Sequence, residues 1–133
     1  MSWQAEVLWA GSARGSVLYL EAPISFWGGV DPKTSAITVV GHPQCGMLIH
    51  DTVLVLPRLV GSSSSSAIML ELLYKNLHPR AMILGERDAI LPMGVVVAQQ
   101  MGWTDIPVLL LPDPPFATGD VLSISSTGVI ERS

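Results

Sequence analysis

Apolar runs along the chain are separated by segments rich in glycine, proline or serine, and their lengths predict the secondary structure. Two short β-prone runs near the N-terminus predict strands at 6–10 and 16–21, and the GSARG segment between them predicts a hairpin turn. Residues 22–35 carry too many glycines and prolines for a regular element, so we expect a loop there and a further strand at 36–40. The chain is therefore predicted to begin with β structure.

A different pattern begins after residue 51, where short apolar runs alternate with longer helix-like runs. It predicts a strand at 52–56, a helix at 67–75, a strand at 81–86, a helix at 89–100 and a strand at 106–112. Strands that alternate with helices are typical of parallel βαβ units. Asn76 is predicted to end the first helix in the left-handed conformation, since Lys75 occupies the last helical turn and Pro79 follows.

These elements predict an α/β fold, with a mixed sheet and a parallel βαβ core that two last short strands at 121–124 and 128–131 complete. No repeat or linker divides the chain, so residues 1–133 are expected to form one domain. A substantial core is expected because 49% of the residues are hydrophobic and 14% are charged. The mean hydropathy of +0.47 is high for a small domain and predicts a large interface with another subunit or domain.

Charge and targeting patterns narrow the function classes. Neither nucleic acid nor an anionic membrane surface is an expected partner, because the net charge is −4 and the seven Lys and Arg residues form no cluster. No apolar run reaches the roughly 18 residues that a membrane-spanning helix requires. The N-terminal segment lacks a signal-peptide pattern, and the lone Cys45, expected to be half-buried, cannot form an intramolecular disulfide. We therefore expect a cytoplasmic protein.

Five consecutive serines at 62–66 stand between the predicted strand at 52–56 and the predicted helix at 67–75. A flexible linker is not expected, because no second domain follows. The start of a helix presents free backbone N–H groups and the positive end of the helix dipole, so the serine run predicts a site for an anionic ligand. The alternative is that one serine caps the helix and the others fill a surface loop.

Other motifs offer less chemistry. The serine run lacks the G-x-S-x-G pattern of a hydrolase nucleophile. The three histidines are expected in turns or at the surface rather than as general bases, because no spacing pairs them with an aspartate; they are His42, His50 and His78. One cysteine and three scattered histidines do not form a zinc or iron–sulfur pattern, so we expect no metal site in this chain.

Two segments leave their roles open. Glu86, Arg87 and Asp88 follow a predicted strand, where they either line a cleft or form a solvated turn with a local ion pair. Phe26 and Trp27 lie in the predicted loop, where they either pack into the core or line a cleft beside a pair of glycines.

Four segments together carry a resemblance to a known family. They are PISFWGGVDPKTSAI, HPQCG, VLPRLVGSSSSS and GERDAILPMGVVVA. They are similar, in this order, to a Ser-Phe-x-Gly-Gly-Val-Asp-Pro signature, a His-Pro-x-x-Gly motif, a strand with a serine loop, and a Glu-containing strand-to-helix segment of the small, swivel-type subunit of aconitase X dehydratases. The resemblance covers nearly the whole chain, and its first and last segments are specific. It implies a three-layer β/β/α swivelling domain related to the mobile domain of aconitase.

The resemblance also implies a role in catalysis. In this family the small subunit is inactive alone; it closes over a larger subunit that carries an iron or iron–sulfur centre, and it contributes a serine that accepts a proton. By motif position that serine is Ser62. Its alkoxide would need stabilisation by the helix dipole and neighbouring donors. The candidate substrate-binding residues are Gly61, Ser63, Ser64, Ser66 and Arg58.

Two positions depart from the family pattern. Val60 stands where family members commonly carry Arg or Lys, and Ser65 stands where many carry glycine. Arg58, two residues before Val60, is then the basic residue in the segment that leads to the loop.

Two substrates are associated with the family, cis-3-hydroxy-L-proline and mevalonate 5-phosphate. We expect the first, dehydrated to Δ1-pyrroline-2-carboxylate, because the chain has only seven Lys and Arg residues and a phosphate group normally requires several. Two alternatives of another class are a non-catalytic scaffold subunit and a phosphohistidine carrier. The carrier needs a histidine in a glycine-rich context, which the three histidines do not provide.

Overall fold

The computed structural model describes residues 1–60 and 64–133. The described residues form eight strands, two regular helices and one irregular turn, α1, in which Trp27 and Gly28 have non-helical backbone angles. The elements are β1 (Ser2–Gln4), β2 (Glu6–Trp9), β3 (Ala13–Tyr19), α1 (Phe26–Gly29), β4 (Val53–Leu56), α2 (Ser65–Lys75), β5 (Ala81–Leu84), α3 (Ile90–Gln100), β6 (Val108–Leu110), β7 (Val121–Ile124) and β8 (Val129–Arg132). The strands follow the order β1-β8-β7-β3-β4-β5-β6-β2. None of the helices in this part of the chain has the length and apolar content needed to cross a membrane.

The parallel core predicted from the sequence is confirmed. Strands β3, β4, β5 and β6 run parallel to one another, with Val17 opposite Val53 and Val53 opposite Ala81. Every residue of β4 and β5 is buried, as expected for strands covered on both faces. The α2 and α3 helices make the crossovers from β4 to β5 and from β5 to β6. The carboxyl ends of these strands therefore meet at one edge of the sheet.

Alternate residues of the central strands face two separate hydrophobic cores. In β4, Leu54 and Leu56 belong to the cluster that includes buried residues of α2 and α3, while Val53 and Val55 belong to the cluster that includes residues of β7 and β8. Burial of each such side chain contributes roughly 1.5–3 kcal/mol to stability. Two β layers and one helical layer result, which confirms the three-layer β/β/α fold.

The β3 strand joins the two β layers. Its first residues, from Ala13 to Ser16, pair antiparallel with β7, and its last residues, from Val17 to Tyr19, pair parallel with β4. The strand therefore passes from one layer into the other. Because both layers share β3, this strand fixes the position of the covering sheet relative to the central sheet.

The α2 helix ends as predicted. Asn76 lies in the left-handed region with φ 58° and ψ 37°, and its N–H group is directed at the carbonyls of Leu72 and Leu73. The helix begins at Ser65, two residues earlier than the apolar pattern indicated. Polar residues at the start of a helix carry no apolar periodicity, so the pattern could not show them.

The predicted N-terminal hairpin is wrong. β2 pairs antiparallel with β6 at the far edge of the sheet, while β3 pairs with β4 and β7. The two glycines of the intervening segment allow close packing instead of a turn. A Cβ on Gly11 would lie 3.1 Å from Cδ of Pro107, and one on Gly15 would lie 2.9 Å from Cδ of Arg80.

The predicted strand at 36–40 is also wrong. Only two isolated bridges form there, between Ile37 and Val30 and between Ala36 and Leu48. The short β1 strand, which the sequence pattern did not indicate, pairs with β8. The last two strands form the predicted hairpin, in which Gly128 has a φ of 87°.

Candidate functional site

The serine loop follows β4 at the carboxyl edge of the parallel strands. Its candidate residues Gly61, Ser62 and Ser63 lie outside the described residues, so the structure locates the chain on either side of them. Before the gap, the N–H group of Val60 donates to the carbonyl of Ile24 over 3.2 Å. After the gap, Ser65 begins α2. The described residues on either side, Val60 and Ser64, therefore lie at the edge where open α/β sheets bind ligands.

The start of α2 supplies a helix dipole to this edge. The carbonyl of Ser64 accepts the N–H groups of Ala67 and Ile68 over 3.2 and 3.4 Å. Ser65 is 5% exposed, and its hydroxyl is buried without a hydrogen-bond partner among the described residues. Ser66 lines a cleft of about 200 Å³ with Met93 and Gly94 of α3. The positive end of the helix dipole therefore lies at Ser64 and Ser65.

The helices are close together at this point because of Gly94. A Cβ on this residue would lie 2.6 Å from the carbonyl oxygen of Ser66 and 3.0 Å from Cβ of Met69. Only a glycine allows α3 to approach the first turn of α2 this closely. The position of the helix start therefore depends on α3.

A second segment, residues 22–31, borders the serine loop. Ile24 forms a parallel bridge with Leu59, which extends the pairing of β3 and β4 beyond both strands. The following aromatics separate: Phe26 is 1% exposed and belongs to the core, whereas Trp27 is 60% exposed. The hydroxyl of Ser25 is buried without a hydrogen-bond partner among the described residues. Both interpretations of the aromatic pair therefore apply, one to each residue.

Trp27 lines the larger cavity at this edge. The cavity has a volume of about 480 Å³ and is lined by Trp27, Gly28, Val30, Asp31, Pro32, Thr38 and Ile68. The Asp31 carboxylate accepts the N–H group of Lys33 over 2.9 Å, and the Thr38 hydroxyl donates to the carbonyl of Gly28 over 3.2 Å. A mainly apolar cavity with one carboxylate and one hydroxyl therefore lies beside the first turns of α2.

Sequence reasoning offered a cleft at Trp27 beside the glycine pair as one of two interpretations, but it did not identify the distant residues that complete the cavity. Thr38 and Ile68 are 30 residues apart, and no local pattern indicates that they meet. The GGVDP letters that precede Lys33 are the available signal, because glycine, aspartate and proline together mark an ordered turn.

Arg58 lies on the segment that enters the serine loop. Arg58 and Val60 are exposed on either side of the half-buried Leu59. Arg58 forms no ion pair with any described residue. Four other cations are paired with carboxylates: Lys75 with Glu71, Arg80 with Asp51, Arg87 with Glu6, and Arg132 with Asp120.

His42 is a structural residue. Its Nδ1 accepts the N–H group of Gln44 over 3.0 Å, so its Nε2 carries the proton and donates to the carbonyl of Ala22 over 2.9 Å. The amide of Gln44 accepts the N–H group of Glu21 over 3.0 Å and donates to the Glu21 carboxylate over 3.1 Å. This His42–Gln44 clamp fixes the 42–46 loop against the chain that leaves β3. Both ring nitrogens are used, which disfavours a role as a base.

The other two histidines lie at the opposite edge of the sheet. His50 precedes β4 and His78 precedes β5, and these strands are parallel. Nε2 of His50 lies 3.5 Å from the Asp51 carboxylate, and Nδ1 of His78 donates to the carbonyl of Pro79 over 2.6 Å. Both occupy turn sequence, and neither can reach the serine loop.

The segment after β5 holds the sheet edge together. Nη2 of Arg87 lies 2.7 and 2.6 Å from the two carboxylate oxygens of Glu6 on β2, and Asp88 accepts the N–H group of Ile90 over 2.8 Å. The ion pair therefore joins distant parts of the chain rather than residues of one local turn.

The prediction that Cys45 is half-buried is wrong, because the residue is exposed. Within the described ranges, no three His, Cys, Asp or Glu side chains are grouped so as to hold a metal.

Known proteins with similar sequences are dehydratases or dehydratase subunits. Residues 2–132 match the family described as the aconitase X swivel domain. The chain is 42% identical over 101 residues to a cis-3-hydroxy-L-proline dehydratase of Hypocrea jecorina. This alignment covers 76% of the chain and 17% of that protein. It is 36% identical over 126 residues to the phosphomevalonate dehydratase small subunit of Methanococcoides burtonii. This alignment covers 91% of the chain and 88% of that protein.

A solved structure agrees with these matches. The chain superposes on Thermococcus kodakaraensis aconitase X in its holo-form with a TM-score of 0.90 at 29% identity, covering 100% of this chain and 98% of that one. The chain spans 17% of the length of the Hypocrea jecorina dehydratase and 18% of the length of a cis-3-hydroxy-L-proline dehydratase of Pseudomonas aeruginosa, to which it is 38% identical over 102 residues. Those relatives therefore contain a much larger body beside the part that this chain matches.

Proposed function

Because the chain belongs to the aconitase X swivel domain family, we propose that it is the small subunit of a dehydratase that eliminates water from a small hydroxy acid. The observation that carries the proposal is the position of the serine loop, between the carboxyl end of β4 and the start of α2. This position joins a helix dipole, a cavity of about 480 Å³ and an exposed arginine at one edge of the fold. A non-catalytic scaffold would not require that combination.

In the proposed reaction Ser62 acts as the base. It takes a proton from the carbon next to the substrate carboxylate, the electrons of that C–H bond form a double bond, and the hydroxyl leaves from the neighbouring carbon. The dipole of α2 favours the negative charge that the serine oxygen carries before it accepts the proton. Gly61, Ser63, Ser64, Ser66 and Arg58 would hold the substrate carboxylate.

The large subunit is the proposed partner. The elimination also needs a Lewis acid on the leaving hydroxyl, which an iron or iron–sulfur centre in that subunit would supply. This chain's contribution is then the base and the carboxylate-binding groups. The cytoplasmic location expected from the sequence remains a prediction.

Charge supports cis-3-hydroxy-L-proline as the substrate. Four of the seven cations are held in ion pairs, and Arg14 lies near Arg80, at the edge opposite the serine loop. Arg58 and Lys33 remain near the loop and the cavity. One carboxylate can be satisfied by such a site, whereas a phosphate dianion normally binds several cations. The identity of 42% to the Hypocrea jecorina hydroxyproline dehydratase supports the same choice.

The assembled enzyme is expected to prefer cis-3-hydroxy-L-proline over mevalonate 5-phosphate by at least about 100-fold in kcat/KM. The measurement is steady-state turnover of both substrates by the chain reconstituted with the large subunit from its own genome. The 36% identity to the Methanococcoides burtonii phosphomevalonate dehydratase small subunit, over 91% of the chain, makes mevalonate 5-phosphate the second candidate. A preference for that substrate would reverse the choice and leave the dehydratase function intact.

Arg58→Gln is expected to lower kcat/KM by about 10- to 100-fold, because a hydrogen bond to a charged group contributes roughly 1.5–3 kcal/mol. Arg14→Gln is the matched control, since it makes the same change at an exposed arginine at the opposite edge of the sheet. Equal kinetics for the two variants would remove Arg58 from the substrate site.

A further inference from the structure

Five exposed apolar side chains lie on the segments that carry Trp27 and Thr38 of the larger cavity and on the loop that pairs with them. We call this group the apolar rim; it consists of Trp27, Val39, Val40, Met47 and Leu48. Val40 is 94% exposed, and Trp27 is 60% exposed. A single exposed apolar residue needs no explanation, but five on neighbouring, hydrogen-bonded segments, including an indole, are typical of an interaction surface.

Backbone hydrogen bonds show that the rim residues are neighbours. The N–H group of Thr38 donates to the carbonyl of Gly29 over 2.9 Å, which places Val39 beside the segment that carries Trp27. The N–H group of Ile37 donates to the carbonyl of Met47 over 2.9 Å. The bridge between Ala36 and Leu48 continues this pairing. The two loops therefore form one surface.

The rim is held in place before any partner binds. The His42–Gln44 clamp ties the 42–46 loop to Glu21 and Ala22, and the Asp31 carboxylate orders the turn at Lys33. Phe26, next to Trp27, is 1% exposed and anchors the other loop in the core. A preformed surface binds more tightly because less conformational entropy is lost on association.

We propose that the apolar rim is the surface on which the large dehydratase subunit docks. This inference rests on the proposed function and identifies where its partner binds. The two hydroxyproline dehydratases, of which the chain spans 17% and 18%, carry the matched domain next to a body several times its size. A partner that covers the rim also closes the cavity beside α2, where the lining residues supply one carboxylate and one hydroxyl.

The competing surface is the outer face of the two long helices. Its exposed apolar residues are Tyr74, Met93, Val97 and Met101. Tyr74 already packs on Trp103, with 4.7 Å between ring centroids. Tyr74 lies in the last turn of α2, and Met101 is the residue after α3. Both are therefore at the helix ends away from Ser64 and Ser65. A partner seated there would leave the cavity open to solvent, so the rim is the better site.

The test is the affinity of the large subunit from the same genome for three variants, measured by isothermal titration calorimetry. Trp27→Ala is expected to weaken binding at least about 30-fold, since tryptophans at interfaces are often hot spots. Val40→Glu is expected to weaken it at least about tenfold, because it places a charge in an apolar contact. Met101→Glu, the matched control at a 58% exposed position, should change affinity less than about twofold.

Folding of each variant is checked by its thermal midpoint, which should not change because these side chains are largely exposed. Rim variants that bind normally overturn the docking surface, and the proposed function stands if those complexes still turn over substrate. If the rim variants bind weakly and the wild-type pair has no dehydratase activity, the docking surface stands and the proposed function is refuted. Loss of affinity with Met101→Glu alone, absence of binding by the wild-type chain, or a dimer of this chain formed through the rim also overturns the proposal.

Discussion

Ser62→Ala is expected to reduce turnover of the assembled dehydratase by about 10²- to 10⁴-fold, because it removes a positioned proton acceptor. The alanine has no oxygen to take the proton, while the dipole of α2 and the binding groups around it remain. Steady-state kinetics of the reconstituted pair measure the effect. The thermal midpoint and the affinity for the large subunit should match those of the wild type, since one hydroxyl is lost from a loop.

The neighbouring serines provide the comparison for Ser62. Ser64→Ala removes a hydroxyl from the residue that precedes α2, and a smaller loss of turnover is expected because binding groups contribute less than the base. The decrease for Ser62→Ala should appear in kcat, whereas the decrease for Ser64→Ala should appear mainly in KM. If Ser62→Ala retains nearly normal kcat and another serine of the loop proves essential, Ser62 is not the base.

Local patterns were sufficient to predict the parallel core. The continuous apolar runs that became β4 and β5 can be satisfied only by burial on both faces, and helices between them enforce parallel strands. Asn76 was predictable for a similar reason, because a left-handed cap depends on residues within one helical turn.

Long-range pairing was not predictable from the same patterns. Glycines such as Gly11 and Gly15 are typical of a hairpin turn. Here they instead leave room for Pro107 and Arg80, which are distant in sequence. Residues 36–40 have strand propensity, yet two of them, Val39 and Val40, belong to the exposed rim. High β propensity reflects fit to a half-buried pleated surface, so it also suits an interface loop.

The candidate site was predictable only in part. The serine run indicated a strand-to-helix junction, and the structure has that junction at Ser64 and Ser65. A cleft at Trp27 was one of two interpretations of the sequence, but its other wall was not predictable, because the cavity forms where the turn at Asp31 meets Ile68 of α2. The functions of Ser62 and the substrate-binding residues stay predictions, with three of them at positions that the structure does not describe.

Gly85 provides the sharpest structural test of how the sheet edge holds the serine loop. It follows β5, and its N–H group donates to the carbonyl of Leu56 over 2.8 Å. A Cβ on Gly85 would overlap the carbonyl oxygen of Pro57 and lie 2.8 Å from its Cα, and Pro57 begins the segment leading to the loop. These atoms are backbone, so they cannot rotate away as a side chain can. Adding a methyl group must therefore move one of the two segments.

Gly85→Ala is expected to lower the free energy of unfolding by about 1–3 kcal/mol, as overpacking in a close contact does. Where the space is open and the φ angle is compatible, the same substitution usually stabilises a protein by roughly 0.4–1 kcal/mol, so the sign of the change is informative. Urea unfolding with an unchanged m value measures it. Glu86→Ala is the control, since this exposed neighbour should change stability by less than about 0.5 kcal/mol.

The same Gly85→Ala variant should also lose turnover after reconstitution, because a displacement of about 1 Å in a catalytic segment can cost roughly 10²-fold. The loss is expected even at temperatures where the variant remains fully folded, because a displaced Pro57 also moves the residues that connect it to Ser62. A stabilised Gly85→Ala variant would show that the two segments can separate freely, and a destabilised variant with full turnover would show that the serine loop is positioned independently of β5.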